Sequence, residues 1–355
     1  MRMGRSTIQK LLILCLCASL LGFFMMIMNI GFNCQNGAKT KGNVDGLAKE
    51  INDDFKKKMK ELEEKEKNIN LAAKRLDFLQ TTLRRQYPYA VDYISQIIDD
   101  DLPTIYAITP TYARHVQKAE LTRISQTFLH IKNFHWIVVE DALEKSQLVS
   151  HFLEKSGLVY THLNTKTPEH YQLGENDPSW LKPRGVEQRN LAIDWLLRHV
   201  DANKEPGVLY FADDDNTYDL QIFHEMRSTQ TVSVWPVGIV GGLKFERPLL
   251  NAQGRVYAWY TAWKPERPFA IDMAGFAVNL QLLQQNSQAR FDIRVPRGYI
   301  ESSLLSKIVT MEDLEPKADL CTKVYVWHTR TEKPKMKQED ILLKQGKPSD
   351  PNVEV

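Results

Sequence analysis

Hydrophobic and polar positions divide the chain into three parts with different patterns. Residues 11–32 are hydrophobic and carry no charged side chain, which as a helix is enough to cross the roughly 30 Å hydrocarbon core of a bilayer. Because Arg2, Arg5 and Lys10 precede this run, we expect residues 1–10 to stay in the cytosol. The run is longer than the apolar part of a cleaved signal peptide and offers no clear Ala-x-Ala site. It therefore predicts an uncleaved signal anchor, with the rest of the chain in a lumen.

A second, charge-rich pattern covers residues 47–86, within a predicted stem of residues 33–102. Hydrophobic residues recur there at seven-residue intervals, namely Phe55, Leu62, Ile69, Leu76 and Leu83. Glu66 and Gln80 interrupt the second hydrophobic seam, so the spacing predicts only a weak two-stranded coiled coil. A single solvated helix is the alternative. Cys34 lies just before the stem, where it could join two chains covalently.

From residue 104 onward, strand and helix patterns alternate. The predicted strands are residues 104–109, 134–139, 159–163 and 208–212, and the predicted helices are residues 117–129, 143–155 and 187–198. Four strands that alternate with three helices predict an α/β domain with a mostly parallel sheet. Further on, the pattern turns β-rich and aromatic, with predicted strands at residues 232–240, 254–263 and 269–278. The charged tail from Lys333 is predicted to be extended. We expect one globular domain with two halves, residues 103–230 and 231–355.

Composition and motifs exclude several classes of protein. Lys and Arg total 46 and Asp and Glu total 44, and this balance gives no support to a nucleic-acid-binding protein. The four cysteines lack the spacing of a metal site, and only Cys321 lies in the predicted globular domain, which excludes a disulfide within it. No Gly-x-Gly-x-x-Gly follows the first strand and no Walker loop occurs, so a Rossmann dinucleotide site or a P-loop is unsupported.

Three consecutive carboxylates, Asp213, Asp214 and Asp215, close the predicted strand at residues 208–212. Carboxylates at a strand end must be solvated or neutralised, and their oxygens are hard ligands that suit Mg²⁺ or Mn²⁺. Residues 109–114 and 140–141 are further polar clusters at strand ends, and the carboxyl ends of parallel strands meet at one edge. Together they indicate a nucleotide pocket, although each alone is also typical of an ordinary turn.

These clusters also resemble a known family. The resemblance rests on residues 109–112, 183–190, 213–217, 271–278, 301–305 and 326–334. With these motifs the chain resembles the β-1,3-glucuronosyltransferases, which are metal-dependent Golgi enzymes of the GT-A fold, over residues 103–355. The tail, residues 333–339 and 349–351, is most similar to the members that complete the proteoglycan linkage region.

The resemblance implies a site for the donor UDP-glucuronate, with the UDP- and metal-binding half of the domain in residues 103–230. Thr111, Tyr112 and Asp141 would hold uridine, with Tyr112 stacked on the base, and Asp215 would bind Mn²⁺ together with the diphosphate. Asp213 and Asp214 would reach donor hydroxyls. The other donor contacts that the resemblance implies are Arg184, Arg189, Arg297, His328 and Arg330. Arginine is suited to this role because its fork matches a carboxylate or a phosphate.

The resemblance also implies an acceptor site in residues 231–355, lined by Glu246, Trp263, Arg267 and Asp272. Glu301 would be the catalytic base, since an inverting displacement needs a carboxylate to take the proton of the attacking hydroxyl. Gln338 would reach the acceptor of the neighbouring subunit, which implies a homodimer. Without the resemblance, Glu301 would be only a charge at the head of a predicted helix, residues 302–309, whose dipole stabilises its ionised form. His328 would then be a core or surface histidine, and Arg267 a surface charge.

Three functions follow from these residues. The first is transfer of glucuronate to the terminal galactose of Gal-Gal-Xyl on a proteoglycan core, and the second is transfer to N-acetyllactosamine ends of glycoproteins. The third is a catalytically silent membrane-anchored lectin, which the intact residues 213–215, Glu301 and His328 disfavour. One departure from the family is that close relatives often carry Asn-Cys-Thr where this chain has residues 320–322, and no Asn-x-Ser/Thr occurs in it.

Overall fold

The computed structural model describes residues 52–69, 71, 74–75, 102–174, 177–178, 181–332, 334–347 and 349–350. Residues 52–69 are helical, and the heptad residues Phe55, Leu62 and Ile69 are 55%, 59% and 68% exposed on this helix. No helix within these ranges has the length and apolarity to cross a bilayer. The predicted signal anchor, Cys34 and the rest of the predicted coiled coil lie outside the described residues.

A seven-stranded sheet forms the centre of the globular domain. Its strands are β1 (Thr104–Thr111), β2 (Phe134–Glu140), β3 (Val159–Asn164), β4 (Gly207–Phe211), β6 (Val232–Val234), β10 (Phe276–Asn279) and β11 (Leu314–Pro316). They lie in the order β11-β6-β10-β4-β1-β2-β3. The pairs β4–β1, β1–β2, β2–β3 and β11–β6 are parallel, whereas β10 runs antiparallel to both of its neighbours. The sheet is therefore mixed and mostly parallel, as predicted.

A second sheet of five strands carries several of the predicted site residues. Its strands are β5 (Thr217–Tyr218), β7 (Val237–Gly238), β8 (Phe245–Leu250), β9 (Val256–Tyr260) and β12 (Val326–Trp327), in the order β5-β12-β7-β8-β9. Strand β5 directly follows the three aspartates, and β12 directly precedes His328. The second sheet therefore brings residues near 328 to the carboxyl end of β4.

Helices cover the larger sheet on both faces. The α-helices of six or more residues in the domain are α1 (Gln117–Phe128), α2 (Gln147–Lys155), α3 (Val186–His199), α4 (Leu220–Met226), α5 (Leu280–Gln285), α6 (Ile300–Leu305) and α7 (Lys337–Lys344). Ile105 of β1 packs in one hydrophobic cluster with Leu121 of α1, and Ile108 packs in the other with Ile193 of α3. Burial on both faces explains why β1 and β4 read as nearly continuous apolar runs.

The strands and helices before residue 212 match the sequence prediction to within two residues, except that α2 begins at Gln147 rather than at residue 143. Leu143, which suggested the earlier start, is 84% exposed. Ser146 caps the helix, since its hydroxyl accepts a hydrogen bond from Val149 N–H at 3.2 Å.

Predictions after residue 230 were less accurate. The predicted strand at 232–240 is two strands separated by Trp235 and Pro236, because proline cannot donate to a sheet. The predicted strand at 269–278 keeps only its end, β10, since Asp272 caps a 3₁₀ turn at Met273–Gly275. Strands β8, β11 and β12 were not predicted. The prediction of an extended tail was wrong, because Lys337–Lys344 is a helix.

Candidate active site

The three consecutive aspartates begin two residues after β4, a strand that is buried along its whole length. Ala212 N–H donates to Ile108 O of β1 at 2.9 Å, and Asn216 N–H returns to Asp213 O at 3.3 Å. Asp214 is 6% exposed, whereas Asp213 and Asp215 are partly exposed. The turn is therefore fixed to the sheet, and its three carboxylates meet different surroundings.

Asp213 is paired with Arg189 on the first turns of α3. The buried Arg189 guanidinium donates to Asp213 Oδ1 and, at 3.0 Å, to the carbonyl of Arg184. Gly185 precedes the helix with φ 70°, and a Cβ there would lie 2.6 Å from Arg189 Nη1. Glycine is thus required for this close approach. Arg189 Nε is buried and has no hydrogen-bond partner among the described residues.

Asp214 is held by a buried polar network at the start of α1. Arg114 Nη2 lies 2.7 Å from Asp214 Oδ1, and Thr111 Oγ1 donates to Asp214 Oδ2 at 2.7 Å. Gln117 Nε2 in turn donates to Thr111 Oγ1 at 3.1 Å. Burial raises the pKa of Asp214, while Arg114 and Thr111 oppose that effect.

Asp215 makes no ion pair with any described residue. Burial, together with the charges of Asp213, Asp214 and Glu120, raises its pKa to about 6. Beside it, Asn216 is 1% exposed and its Oδ1 is buried without a hydrogen-bond partner in the described part of the chain. No group of three or more His, Cys, Asp or Glu side chains suited to a metal ion occurs in the described ranges. The turn nevertheless has an excess of negative charge and a spare hard oxygen, which fits a divalent cation whose other ligands come from a bound diphosphate.

His328 follows β12 and faces the same region. Its backbone N–H donates to Gly238 O at 2.9 Å, and its Nδ1 lies 3.3 Å from Asp272 Oδ2. The hydrogen bond and the charge of Asp272 raise the pKa of His328 to about 9, so the imidazole is cationic at neutral pH. Asp272 Oδ1 also accepts from Ala274 N–H at 3.0 Å, and the pKa of this carboxyl is lowered because the bonds and charge of His328 outweigh the effect of burial. Asp272 thus holds the cationic imidazole of His328 next to the aspartates.

Glu301 lies in the first turn of α6, a helix of six residues that begins at Ile300. Burial raises the pKa of Glu301 to about 7, with a further upward contribution from Asp272. Its own backbone N–H and the charges of Arg267 and Arg189 act in the opposite direction. Burial therefore outweighs the stabilisation that the first turn of the helix gives to the ionised form. A carboxyl that titrates near neutrality is suited to general base catalysis.

Three of the four predicted acceptor residues lie in the segment between β9 and β10, namely Trp263, Arg267 and Asp272. Arg267 is 6% exposed, not a surface charge, and its guanidinium donates to the carbonyls of Lys264 at 3.1 Å, of Trp263 at 3.0 Å and of Gly298. Glu246, on β8, is 7% exposed and accepts from Thr261 Oγ1 at 2.6 Å. Burial raises the pKa of Glu246, and Asp272 adds to the rise.

Trp263, which is 41% exposed, lies under the guanidinium of Arg297 at 4.6 Å from the ring centroid. The structure thus brings a predicted acceptor residue into contact with a predicted donor residue. Cation–π contacts of this kind are stronger when the pair is desolvated, as it would be under a bound sugar.

The remaining predicted site residues are placed less tightly. Tyr112 is 46% exposed, and Asp141 accepts from both the N–H and the hydroxyl of Thr167, at 2.8 and 2.7 Å. Both carboxylate oxygens of Asp141 are thus already engaged. Three others are exposed at the surface, namely Arg184, Arg330 and Gln338, the last on α7. No described contact joins Gln338 to the other site residues.

Sequence reasoning gave no role to Arg114, Glu120, Thr329 or Thr331. Thr329 Oγ1 donates to Asp215 O at 2.5 Å, and Thr331 Oγ1 donates to Glu120 Oε1. Glu120 is 3% exposed on the inner face of α1, beside apolar residues such as Leu121 and Ile124. A charged residue on the apolar face of an amphipathic helix was a visible signal, because such residues are buried only when they are paired.

Comparison with known proteins agrees with this geometry. The sequence profile of glycosyltransferase family 43 matches residues 124–332. The chain belongs to glycosyltransferase family 43. It is 55% identical over 290 residues to galactosylgalactosylxylosylprotein 3-beta-glucuronosyltransferase 3 of Mus musculus, covering 79% of this chain and 85% of the relative. It is 54% identical to the Homo sapiens protein of that name, with the same coverage.

A second group of family 43 relatives is equally similar. The chain is 56% identical over 260 residues to galactosylgalactosylxylosylprotein 3-beta-glucuronosyltransferase 1 of Rattus norvegicus, covering 72% of this chain and 76% of that one. Solved structures are more distant. TarS 1-349 of S. aureus has a TM-score of 0.39 and 15% identity, with 64% of this chain and 60% of that one covered.

Proposed function

We propose that this family 43 protein is a galactosylgalactosylxylosylprotein 3-beta-glucuronosyltransferase. It would transfer glucuronate from UDP-glucuronate to the terminal galactose of the Gal-Gal-Xyl linkage region of proteoglycans. The observation that carries the proposal is Glu301, a carboxyl that makes no ion pair with any described residue. Burial raises its pKa to about 7, and its electrostatic neighbours are Asp272, Arg267 and Arg189. The names of the similar proteins support the substrate class, and the mixed α/β architecture supports assignment to the GT-A fold.

The donor would lie at the carboxyl ends of β1, β2 and β4. Uridine would bind at Thr111, Tyr112 and Asp141, with its base on the exposed ring of Tyr112. The cationic His328 would face the diphosphate and the glucuronate carboxylate. The same cationic end of the site would include Arg184, Arg189, Arg297 and Arg330, which would favour an acidic sugar over a neutral one.

Asp215 would hold Mn²⁺ together with oxygens of the diphosphate, since it is the aspartate of the triplet that makes no ion pair with a described residue. When bound, the ion would supply Lewis-acid stabilisation of the charge that develops on the leaving UDP. Asp213 and Asp214, fixed by Arg189 and Arg114, would orient donor hydroxyls.

In the chemical step, Glu301 would accept the proton of the acceptor hydroxyl as that oxygen attacks the anomeric carbon of glucuronate. The bond from this carbon to the diphosphate oxygen breaks, UDP leaves from the opposite side, and the configuration inverts to β. A positioned base of this kind contributes roughly 10²–10⁴-fold to the rate. Glu246, Trp263, Arg267 and Asp272 would position the acceptor sugar for the attack.

Three further assignments belong to the same proposal. The uncharged residues 11–32 would anchor the protein as a type II Golgi membrane protein with its catalytic domain in the lumen. Two chains would form a homodimer through both the stem and the catalytic domain, with Cys34 available for an interchain disulfide. Gln338 would then reach the acceptor bound by the partner.

The test is UDP release from UDP-glucuronate with Gal-Gal-Xyl as acceptor, with and without Mn²⁺. We expect metal-dependent release and a β-1,3-linked glucuronate in the product, identified by nuclear magnetic resonance. If the protein prefers N-acetyllactosamine, the proposed acceptor is wrong but the proposed glucuronosyl transfer stands. If it binds UDP but transfers glucuronate to no galactose-terminated acceptor, the proposal of an enzyme is refuted and a lectin remains.

A further inference from the structure

Arg114, in the loop between β1 and α1, contacts three different parts of the proposed donor site. Its guanidinium lies 2.7 Å from Asp214 Oδ1 and also donates to Glu120 Oε2. Its Nη1 donates to Tyr112 O at 3.1 Å, and its Cζ lies 4.6 Å from the centroid of the Tyr112 ring. One side chain therefore contacts the exposed aromatic ring, the aspartate triplet and helix α1.

The surroundings of Arg114 are unusually rich in buried charge. Glu120 is 3% exposed and Asp214 is 6% exposed, and this single guanidinium pairs with both carboxylates. Apolar side chains of similar volume would generally stabilise a fold as well as a buried ion pair does. A charged trio at this position is therefore explained better by what it holds in place than by the stability it adds.

The same network extends to the C-terminal motif of the chain. Thr331 Oγ1 donates to the other oxygen of Glu120, and Thr329 Oγ1 donates to Asp215 O at 2.5 Å. Both threonines follow His328 on the segment after β12. Glu120 thus connects Arg114 to the segment that lies against the aspartate turn.

We propose that Arg114 is a positioning residue for donor binding, fixing the Tyr112 ring and the Asp214 carboxylate in one arrangement through its bond to Glu120. The uridine end and the diphosphate end of the donor site are then set together before the donor arrives. This inference rests on the proposed function, because it takes Tyr112 and Asp214 as donor contacts. This role requires the planar fork of arginine, because a positive charge alone would not hold both the Tyr112 ring and the Asp214 carboxylate in place.

The experiment compares Arg114→Lys with Arg114→Met. Lysine restores a positive charge between Asp214 and Glu120, but a point charge cannot bond both carboxylates and cover the Tyr112 ring at once. We expect Arg114→Met to lower the melting temperature, and Arg114→Lys to recover most of it. UDP affinity, measured by calorimetry with Mn²⁺ and again in EDTA, should stay about tenfold weaker in Arg114→Lys under both conditions.

Two more variants keep the test decisive if Arg114→Met does not fold. Thr331→Val removes one hydrogen bond to Glu120 without changing any charge, and should weaken UDP binding by about threefold. Arg198→Met removes an exposed arginine from the end of α3 and should leave UDP affinity unchanged. In steady-state kinetics, Arg114→Lys should raise the donor KM while the acceptor KM stays at the wild-type value.

The outcomes separate the inference from the proposed function. If wild-type protein with Mn²⁺ does not bind UDP, the proposed function fails. If the wild type binds UDP and Arg114→Lys binds it within twofold as well, the positioning role is wrong and the proposed function stands. Equal rises in donor and acceptor KM would also refute the inference, because they would indicate a general loosening of the fold.

Discussion

The raised pKa of Glu301 leads to a quantitative prediction for the pH dependence of transfer. If Glu301 is the base, its ionised fraction sets the lower limb of the profile of kcat/KM. With a pKa of about 7, that fraction is about one-tenth at pH 6, about one-half at pH 7 and about nine-tenths at pH 8. We therefore expect kcat/KM to rise roughly tenfold between pH 6 and pH 8. A glutamate at its usual value of 4.5 would be almost fully ionised over this whole range.

The measurement is UDP release at fixed ionic strength, for the wild type and for Glu301→Gln. The variant should bind UDP and Mn²⁺ normally and lose roughly 10²-fold or more in kcat, since proton removal belongs to the transition state. The ratio of the wild-type rate to the variant rate at each pH cancels titrations of the donor and the metal. A ratio that is flat from pH 6 to pH 8 would refute the assignment of Glu301 as a buried base.

A neighbouring substitution tests the sign of the electrostatic reasoning. The negative charge of Asp272 raises the pKa of Glu301, so Asp272→Asn should lower that pKa and shift the rise of kcat/KM to lower pH. Asparagine keeps the shape of the side chain, and the acceptor KM should rise if Asp272 contacts the acceptor. If Asp272→Asn instead abolishes kcat while Glu301→Gln keeps it, the two carboxylates have the opposite roles.

The same burial predicts a change in thermal stability. Because the pKa of Glu301 is higher in the folded protein than the usual value, folding disfavours its ionised form, and this cost is fully present above about pH 7. Below the unfolded-state pKa the side chain is protonated in both states and the cost disappears. Glu301→Gln should therefore raise the melting temperature at pH 8 more than at pH 5. An equal rise at both pH values would contradict the desolvation argument.

Three other predictions follow from particular residues. Asp215→Asn should abolish Mn²⁺-dependent UDP binding in calorimetry, and unchanged affinity would move the metal site elsewhere. Leu320 is 59% exposed with φ 52°, a left-handed conformation that asparagine adopts more readily than leucine or alanine. Leu320→Asn, produced without N-glycosylation, should therefore add about 1 kcal/mol to the free energy of unfolding and raise the melting temperature by about 2–4 °C, whereas Leu320→Ala should do neither. A fragment starting near residue 95 should sediment as a dimer, and a fully active monomer would exclude the cross-subunit role of Gln338.

The sequence pattern predicted the inner strands β1, β2 and β4 of the central sheet because these strands are almost completely buried. Strand β8 escaped prediction for a specific reason. Glu246 and Pro248 are its buried positions, while Phe245 is only partly buried, so the expected order of hydrophobic and polar residues is reversed. Buried polar residues at a site invert the periodicity on which strand prediction depends.

Site residues were predictable where several stood together in sequence, as in the aspartate triplet. Arg114 and Glu120 were not, because their partners come from segments as distant as Asp214 and Thr331. The raised pKa of Glu301 could not be predicted from the sequence for a related reason. Burial by residues remote in sequence outweighs the local effect of the first turn of a short helix.

The pairing of carboxylates across the site accounts for how its tasks would be divided. Asp213 pairs with Arg189, Asp214 and Glu120 share Arg114, and Asp272 pairs with His328. Glu246 and Asp141 accept hydrogen bonds from threonines. Among these site carboxylates and within the described residues, Asp215 and Glu301 have neither a protein cation nor a side-chain donor, and burial raises the pKa of each. A carboxylate that lacks a protein cation remains free for a metal ion, and one whose pKa is raised toward neutrality is suited to taking up a proton. The fold thus leaves unpaired the two acids to which we assign metal binding and proton transfer.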